Sequence, residues 1–158
     1  MMKNAATLIL TAMLGCIGVA SYAGTEPLSE TGYDVTTRTG EKIVLPNGNS
    51  LTINALSHET IVNDKTGEQS SEWCSYDGLL DPKGHYLHYL SYCTRVYDNG
   101  DVLWSTASGD NDDTSQFTFA GGTGKFVGAT GNGETTTTST SIDGRATTFK
   151  NIGTLTTK

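Results

Sequence analysis

Turn residues break this chain at short and fairly even intervals. Thr39-Gly40, Pro46-Asn47-Gly48, Asp64-Lys65-Thr66-Gly67, Asp81-Pro82-Lys83-Gly84 and Asn99-Gly100 punctuate it, and no window between them keeps a helical apolar period long enough for a helix. The intervening runs read as strands: 33–38, 42–45, two clusters within 51–62, 71–79, 85–97, 102–107, 116–119, 125–129, 134–141 and 145–157. The composition agrees, with 26 Thr and 19 Gly but only 3 Pro among 158 residues. Thr fits a pleated, half-buried surface, and Gly fits tight turns and bulges. Many short strands with regular turn signals imply an all-β sandwich or closed barrel.

The first 23 residues form a separate segment. Lys3 precedes the apolar run 5–14, and Ser21-Tyr22-Ala23 offers the small residues that a signal peptidase accepts. The expectation is a signal peptide at 1–23, cut before Gly24, and one domain at 24–158. A rival reading takes Leu14-Gly15-Cys16 as a lipoprotein box with Cys16 acylated, but Met13 stands where that box usually has Leu. The run is too short to span a bilayer. The formal charge is −7, and losing Lys3 makes it −8. That sign argues against nucleic acid or an anionic membrane surface as partner. The predicted location is periplasmic or secreted.

Two cysteines remain beyond the leader. In an exported chain, Cys74 and Cys93 are most simply a disulfide, closing a 19-residue separation for roughly 3 kcal/mol of loop entropy. A redox pair would favour Cys-x-x-Cys, and a metal site would need further ligands such as His85 and His88, so the structural bond is preferred.

The clearest local signal is Tyr97-Asp98-Asn99-Gly100-Asp101-Val102. Asn-Gly between two strand runs calls for a two-residue hairpin turn with both central residues at positive φ. That register sets Arg95 opposite Trp104 and Cys93 opposite Thr106 on one face. Val96 then meets Leu103, Thr94 meets Ser105 and Tyr92 meets Ala107 on the other. The second face, with Leu90, His88 and Tyr86, is the more apolar and is expected to be interior. Arg95 and both cysteines then face outward, while Trp73 and Ser75 turn in. The predicted ligand-binding group is Trp73, Ser75, Tyr86, His88, Tyr92 and Ser105. A one-residue slip would reverse these assignments.

The segment 119–134, Phe-Ala-Gly-Gly-Thr-Gly-Lys-Phe-Val-Gly-Ala-Thr-Gly-Asn-Gly-Glu, fails as a phosphate loop, because Phe119 stands where a glycine is required and Phe126 where Ser or Thr is required. It fails as a dinucleotide fingerprint too, since Gly128 comes one place late and no helix follows. It works as strand, tight turn and returning strand, with Phe126 and Val127 as apolar anchors. The string Gly-Gly-Thr-Gly-Lys-Phe-x-Gly-Ala-x-Gly resembles the one that marks the allene oxide cyclase-like barrel group, to which plant dirigent proteins are similar and in which bacteria carry small exported members. The match covers residues 93–134. The resemblance implies a single antiparallel eight-stranded, calycin-like barrel with a central cavity, often dimeric or trimeric, and chemistry without a cofactor. The motif itself is a structural turn and carries no catalytic group.

The functional expectation is therefore an exported barrel that binds a small apolar or aromatic molecule, with no cofactor, no metal and a homo-oligomer as a possible assembly. The runner-up is a cofactor-free cyclase, isomerase or lyase using His88 and Tyr92 for proton transfer. A third reading is a filled barrel with a structural or interaction role. Asp110-Asn111-Asp112-Asp113 places three carboxylates in four residues, a set suited to calcium, but it lacks the glycine and distal Glu of an EF-hand and reads as a solvated loop. Glu72 and Asp77 fall on opposite faces by alternation and so form no carboxylate pair.

Overall fold

The computed structural model describes residues 24–158; the expected signal peptide and Cys16 lie outside the described residues. Nine strands follow in order: β1 (Gly24–Arg38), β2 (Glu41–Val44), β3 (Ser50–Asn63), β4 (Gln69–Leu80), β5 (Tyr86–Tyr97), β6 (Val102–Gly109), β7 (Thr114–Gly122), β8 (Thr130–Thr140) and β9 (Ala146–Thr157). One short 3-10 turn, Gly124–Phe126, links β7 to β8. Each strand pairs antiparallel with the next from β3 to β9, and β1 pairs with both β9 and β3. The sheet thereby closes into an eight-stranded antiparallel barrel. The short β2 pairs with the start of β3, beyond the point where Arg38 of β1 stops pairing with Leu56. It prolongs the β1 edge after a break. Asn54 marks that break at φ 57, a left-handed conformation that Asn tolerates better than most residues. Its N–H donates to Asp77 Oδ1 at 2.7 Å, and its carbonyl accepts from Arg38 Nε at 2.9 Å.

The 97–102 hairpin differs from the sequence expectation. Gly100 N donates to Tyr97 O at 2.9 Å, and Tyr97 N donates to Asp101 O at 3.0 Å. The loop thus holds three residues, Asp98, Asn99 and Gly100. Only Gly100 of these has positive φ, at 84°. This is a turn followed by a left-handed glycine bulge, which needs one positive φ where the two-residue turn needs two. Asn99 spends its side chain on the turn, accepting from Asp101 N at 3.0 Å. The extra residue slips β5 by one place, so Cys93 pairs with Ser105, Thr94 with Trp104 and Arg95 with Leu103. The β6 faces stay as expected, and those of β5 and β4 reverse.

Inside, the barrel is built in two halves. At the end that carries the 97–102 hairpin, Leu28, Tyr97, Leu103, Phe117, Phe119, Phe126 and Ala129 form a packed apolar plug. Phe126 is 2 % exposed and its ring centroid lies 4.8 Å from that of Tyr97. Val127, expected as its fellow anchor, is 63 % exposed, because the 3-10 turn points only Phe126 inward. Phe126→Ala should therefore cost about 3–5 kcal/mol, while Val127→Ala should stay within about 0.5 kcal/mol of the parent. Urea unfolding midpoints check both; equal losses would contradict the plug.

Candidate functional site

Above the plug the barrel carries charge. The inward row of β5 is Tyr89, Ser91, Cys93, Arg95 and Tyr97, and Arg95 lies 3 % exposed in the interior. Its Nη1 donates to Glu30 Oε1 of β1 at 2.7 Å and its Nη2 to Glu72 Oε2 of β4 at 3.2 Å. Asn151 of β9 donates to Glu30 at 3.2 Å, and Ser105 donates to Glu72 at 3.2 Å. The guanidinium sits 5.9 Å from the Phe119 ring centroid of the plug. Burial disfavours its charge, but Glu72 and Glu30 more than offset this and hold Arg95 firmly protonated. Its Nε is buried without a partner.

Next to this layer opens a cavity of about 670 Å³. Its walls include Tyr76, Tyr86, Tyr89, Phe117, Phe119 and Phe149, with Ser and Thr hydroxyls between them, and its rim includes His85, Asp112 and Ile142. The rings of Tyr86 and Tyr89 lie 5.3 Å apart, and those of Tyr76 and Tyr86 meet edge-on at 6.4 Å. Tyr86 presses on β4 at Gly78, where a Cβ would collide with its ring. Burial raises the phenol pKa of Tyr86 and Tyr89 above the ordinary value.

Two carboxyl groups share this cavity. Asp34 of β1 pairs directly with Glu59 of β3, and both line the space. Burial pushes Asp34 up to about 6, against a hydrogen bond from Ser57 that lowers it. Its Oδ1 has no partner. Glu59 is raised well above the usual carboxylate range, first by burial and then by the charges of Glu72 and Asp34. Both causes favour the protonated form of Glu59.

The Cys74–Cys93 disulfide is present, joining directly opposed residues of β4 and β5. Both cysteines line the cavity, which corrects the expectation that they face out. Glu59 Oε1 lies 3.3 Å from Cys74 Sγ, a contact in which only a protonated Glu59 has a hydrogen to give. Glu59, Cys74 and Cys93 are the described residues with ligand atoms close enough to share a metal ion. In the disulfide, however, the sulfurs bond each other and offer no thiolate.

The predicted site residues separate into two groups. Tyr86 and Ser105 line the cavity. Tyr86 faces in despite its parity because Leu79 pairs with His88 while Leu80 pairs with Tyr86, which leaves Leu87 bulged out of the ladder. Trp73, Ser75, His88 and Tyr92 are outside: Trp73 is 52 % and Tyr92 67 % exposed. The hairpin slip is the reason, since it turns their whole face outward. His88 instead meets Asp110 at 2.6 Å, and His85 meets Asp112 at 2.7 Å on the rim. Arg95, expected over Trp104 on the outer face, is the interior cation. The loop carboxylates Asp110 and Asp112 are thus directed to separate histidines, and Asn111 caps the backbone N–H groups of Asp113 and Thr114.

Asp34, Glu59, Glu30 and Arg95 were missed. The readable signal was the spacing Leu28-Glu30-Gly32-Asp34, which puts two acids on the face of an apolar residue, and the matching spacing Cys93-Arg95-Tyr97.

Comparisons with known proteins fit the geometry. No family model and no curated protein matches the chain. Among solved structures it is similar to the pterocarpan synthase dirigent protein GePTS1, with TM-score 0.55 at 13 % identity over 96 % of this chain and 99 % of that one. It also aligns with the pterocarpan synthase dirigent protein PsPTS1, with TM-score 0.49 at 11 % identity over 85 % and 96 %. The likeness to GePTS1 is one of fold, a dirigent-like eight-stranded antiparallel barrel.

Asp34 supplies a pH test. An acid whose pKa rises on folding, here from 3.8 to about 6, binds its proton more tightly when folded. Its contribution to stability is full below pH 3.8 and is lost as pH climbs through 6. The loss is up to about 3 kcal/mol at 1.36 kcal/mol per unit. Asp34→Asn should abolish this part of the pH dependence and raise stability at pH 7, as read from urea midpoints. An unchanged slope would contradict a buried, shifted Asp34.

Proposed function

We propose that this barrel takes one small aromatic molecule bearing polar groups into its cavity and holds it between the tyrosine wall and the Asp34–Glu59 acid pair. The observation that carries the reading is the cavity of about 670 Å³ lined by aromatic rings and hydroxyls, a composition typical of sites for small organic molecules. The unpartnered Asp34 Oδ1 and Arg95 Nε on the same walls are polar atoms that a guest would complement. The neighbour GePTS1 is named as a pterocarpan synthase; for this chain the reading is the coarser one of small-molecule holding or guiding. Export with removal of residues 1–23 belongs to the same reading, supported by the disulfide.

One observation favours a second reading, proton transfer on the guest. Burial favours the protonated form of Glu59, and Asp34, directly opposite, is pushed up to about 6. Such a pair sets one group as acid and the other as acid or base. This role replaces that expected of His88 and Tyr92. The reaction class would be a cofactor-free isomerisation, cyclisation or elimination.

The test is native mass spectrometry of the exported protein, repeated after denaturation. A small molecule should be seen only in the native spectrum, and the denatured chain should begin at Gly24, two hydrogens short. Ala107→Trp, which fills the cavity from β6, should abolish the adduct while leaving the fold intact. An adduct unaffected by Ala107→Trp, or a wild-type protein with neither an adduct nor a thermal shift across a panel of phenols, would overturn the reading. With a substrate in hand, Glu59→Gln and Asp34→Asn should lose turnover and keep binding if the second reading holds.

A further inference from the structure

The outer wall of the barrel carries a second concavity that the cavity reading does not use. It runs from Thr37 at the end of β1 across β3 to β7, encloses about 520 Å³, and holds both tryptophans of the chain. Trp73 pairs across the ladder with Thr94, and Thr94 pairs with Trp104. The two indoles therefore stand two strand spacings apart, roughly 10 Å, on either side of Thr94. Tyr92 stands two residues along β5, between Ser75 and Thr106. Trp73, Tyr92 and Trp104 are 52 %, 67 % and 43 % exposed. The His58 ring packs on Trp73 at 4.8 Å, so the indole is braced and still half open.

The chemistry of this surface is selective. No charged side chain lines the groove, although the chain has a formal charge of −7. An ionic partner of either sign has nothing there to pair with. Ser75, Thr94 and Thr106 are exposed and alternate with the rings. A lipid surface or the core of a protein interface would favour uninterrupted apolar contact, and serine is depleted in such cores. Flat rings set at fixed spacing with hydroxyl groups between them match an extended sugar chain, whose pyranose C–H faces lie on aromatic planes and whose hydroxyls exchange hydrogen bonds.

We propose that this groove binds an uncharged polysaccharide strand, with Trp73 and Trp104 stacking on sugar rings and Tyr92 flanking them. The groove and the cavity lie on opposite faces of one wall, which they share at Ser57, Cys74, Cys93 and Ser105, and occupancy of the groove does not require the small molecule.

The test uses the full exported protein on insoluble cellulose and chitin and in gels cast with xylan or mixed-linkage β-glucan. Retention by at least one of the four is expected, with a shift in tryptophan emission on adding its oligosaccharides. Trp73→Ala/Trp104→Ala should weaken binding by about tenfold or more, with the small-molecule adduct of the cavity retained. Thr94→Arg, which keeps both indoles and sets a charge between them, should weaken it in the same way and guards against misfolding of the double variant. Retention by none of the four, or retention unchanged in both variants, overturns the proposal. A wild-type oligomer that both variants convert to monomers in sedimentation also overturns it, by assigning the face to a second copy of the chain.

Discussion

Arg95 is the residue around which the interior is arranged. A guanidinium inside a barrel of this size must be neutralised, and it is held from two sides by Glu30 and Glu72. Removing Arg95 would leave both buried carboxylates uncompensated, and breaking a buried pair in this way typically costs about 3–5 kcal/mol. The three residues come from β1, β4 and β5, and Asn151 and Ser105 extend the network to β9 and β6. The layer thus ties most of the barrel's circumference together. It also lines the open cavity beside the apolar plug, whose Phe117 and Phe119 reach the cavity wall.

The charge of that layer does not balance: two carboxylates face one guanidinium. Burial and the surplus negative charge act on Glu59 in the same direction, and both favour its protonated form. Asp34, directly opposite and less buried, is pushed only to about 6. The interior therefore combines carboxylates paired to Arg95 with two acids whose protonated forms are favoured, over three neighbouring strands. A wall of that kind can donate a hydrogen bond from an acid at neutral pH, which an exposed carboxylate cannot do.

The fold class was readable because turn signals and Thr-rich runs are local. Positions such as Asp64-Lys65-Thr66-Gly67 and Asp81-Pro82-Lys83-Gly84 form turns as read. The disulfide was readable from two cysteines alone. The site was not, because a face assignment depends on one register and that register on one loop. Asn99-Gly100 fits two turn types, and the choice between them rests on the φ of Asn99, which no residue pattern fixes. The error then carried through strict alternation to His88, Tyr92, Trp73 and Ser75 together. Tyr86 escaped only because Leu87 bulges, a feature with no signature in the chain. A polar interior added to the difficulty, since choosing the more apolar face of β5 as the inner one picks the wrong face when the core holds Arg95.

The most direct test is a carbon-13 NMR titration of the side-chain carboxyl groups in the ligand-free protein. Asp34 should titrate near pH 6, and Glu59 should titrate well above the ordinary carboxylate range. If both carboxyls instead titrate at the ordinary acidic values of exposed groups, the cavity is open to water, and the charged layer does not shape the interior.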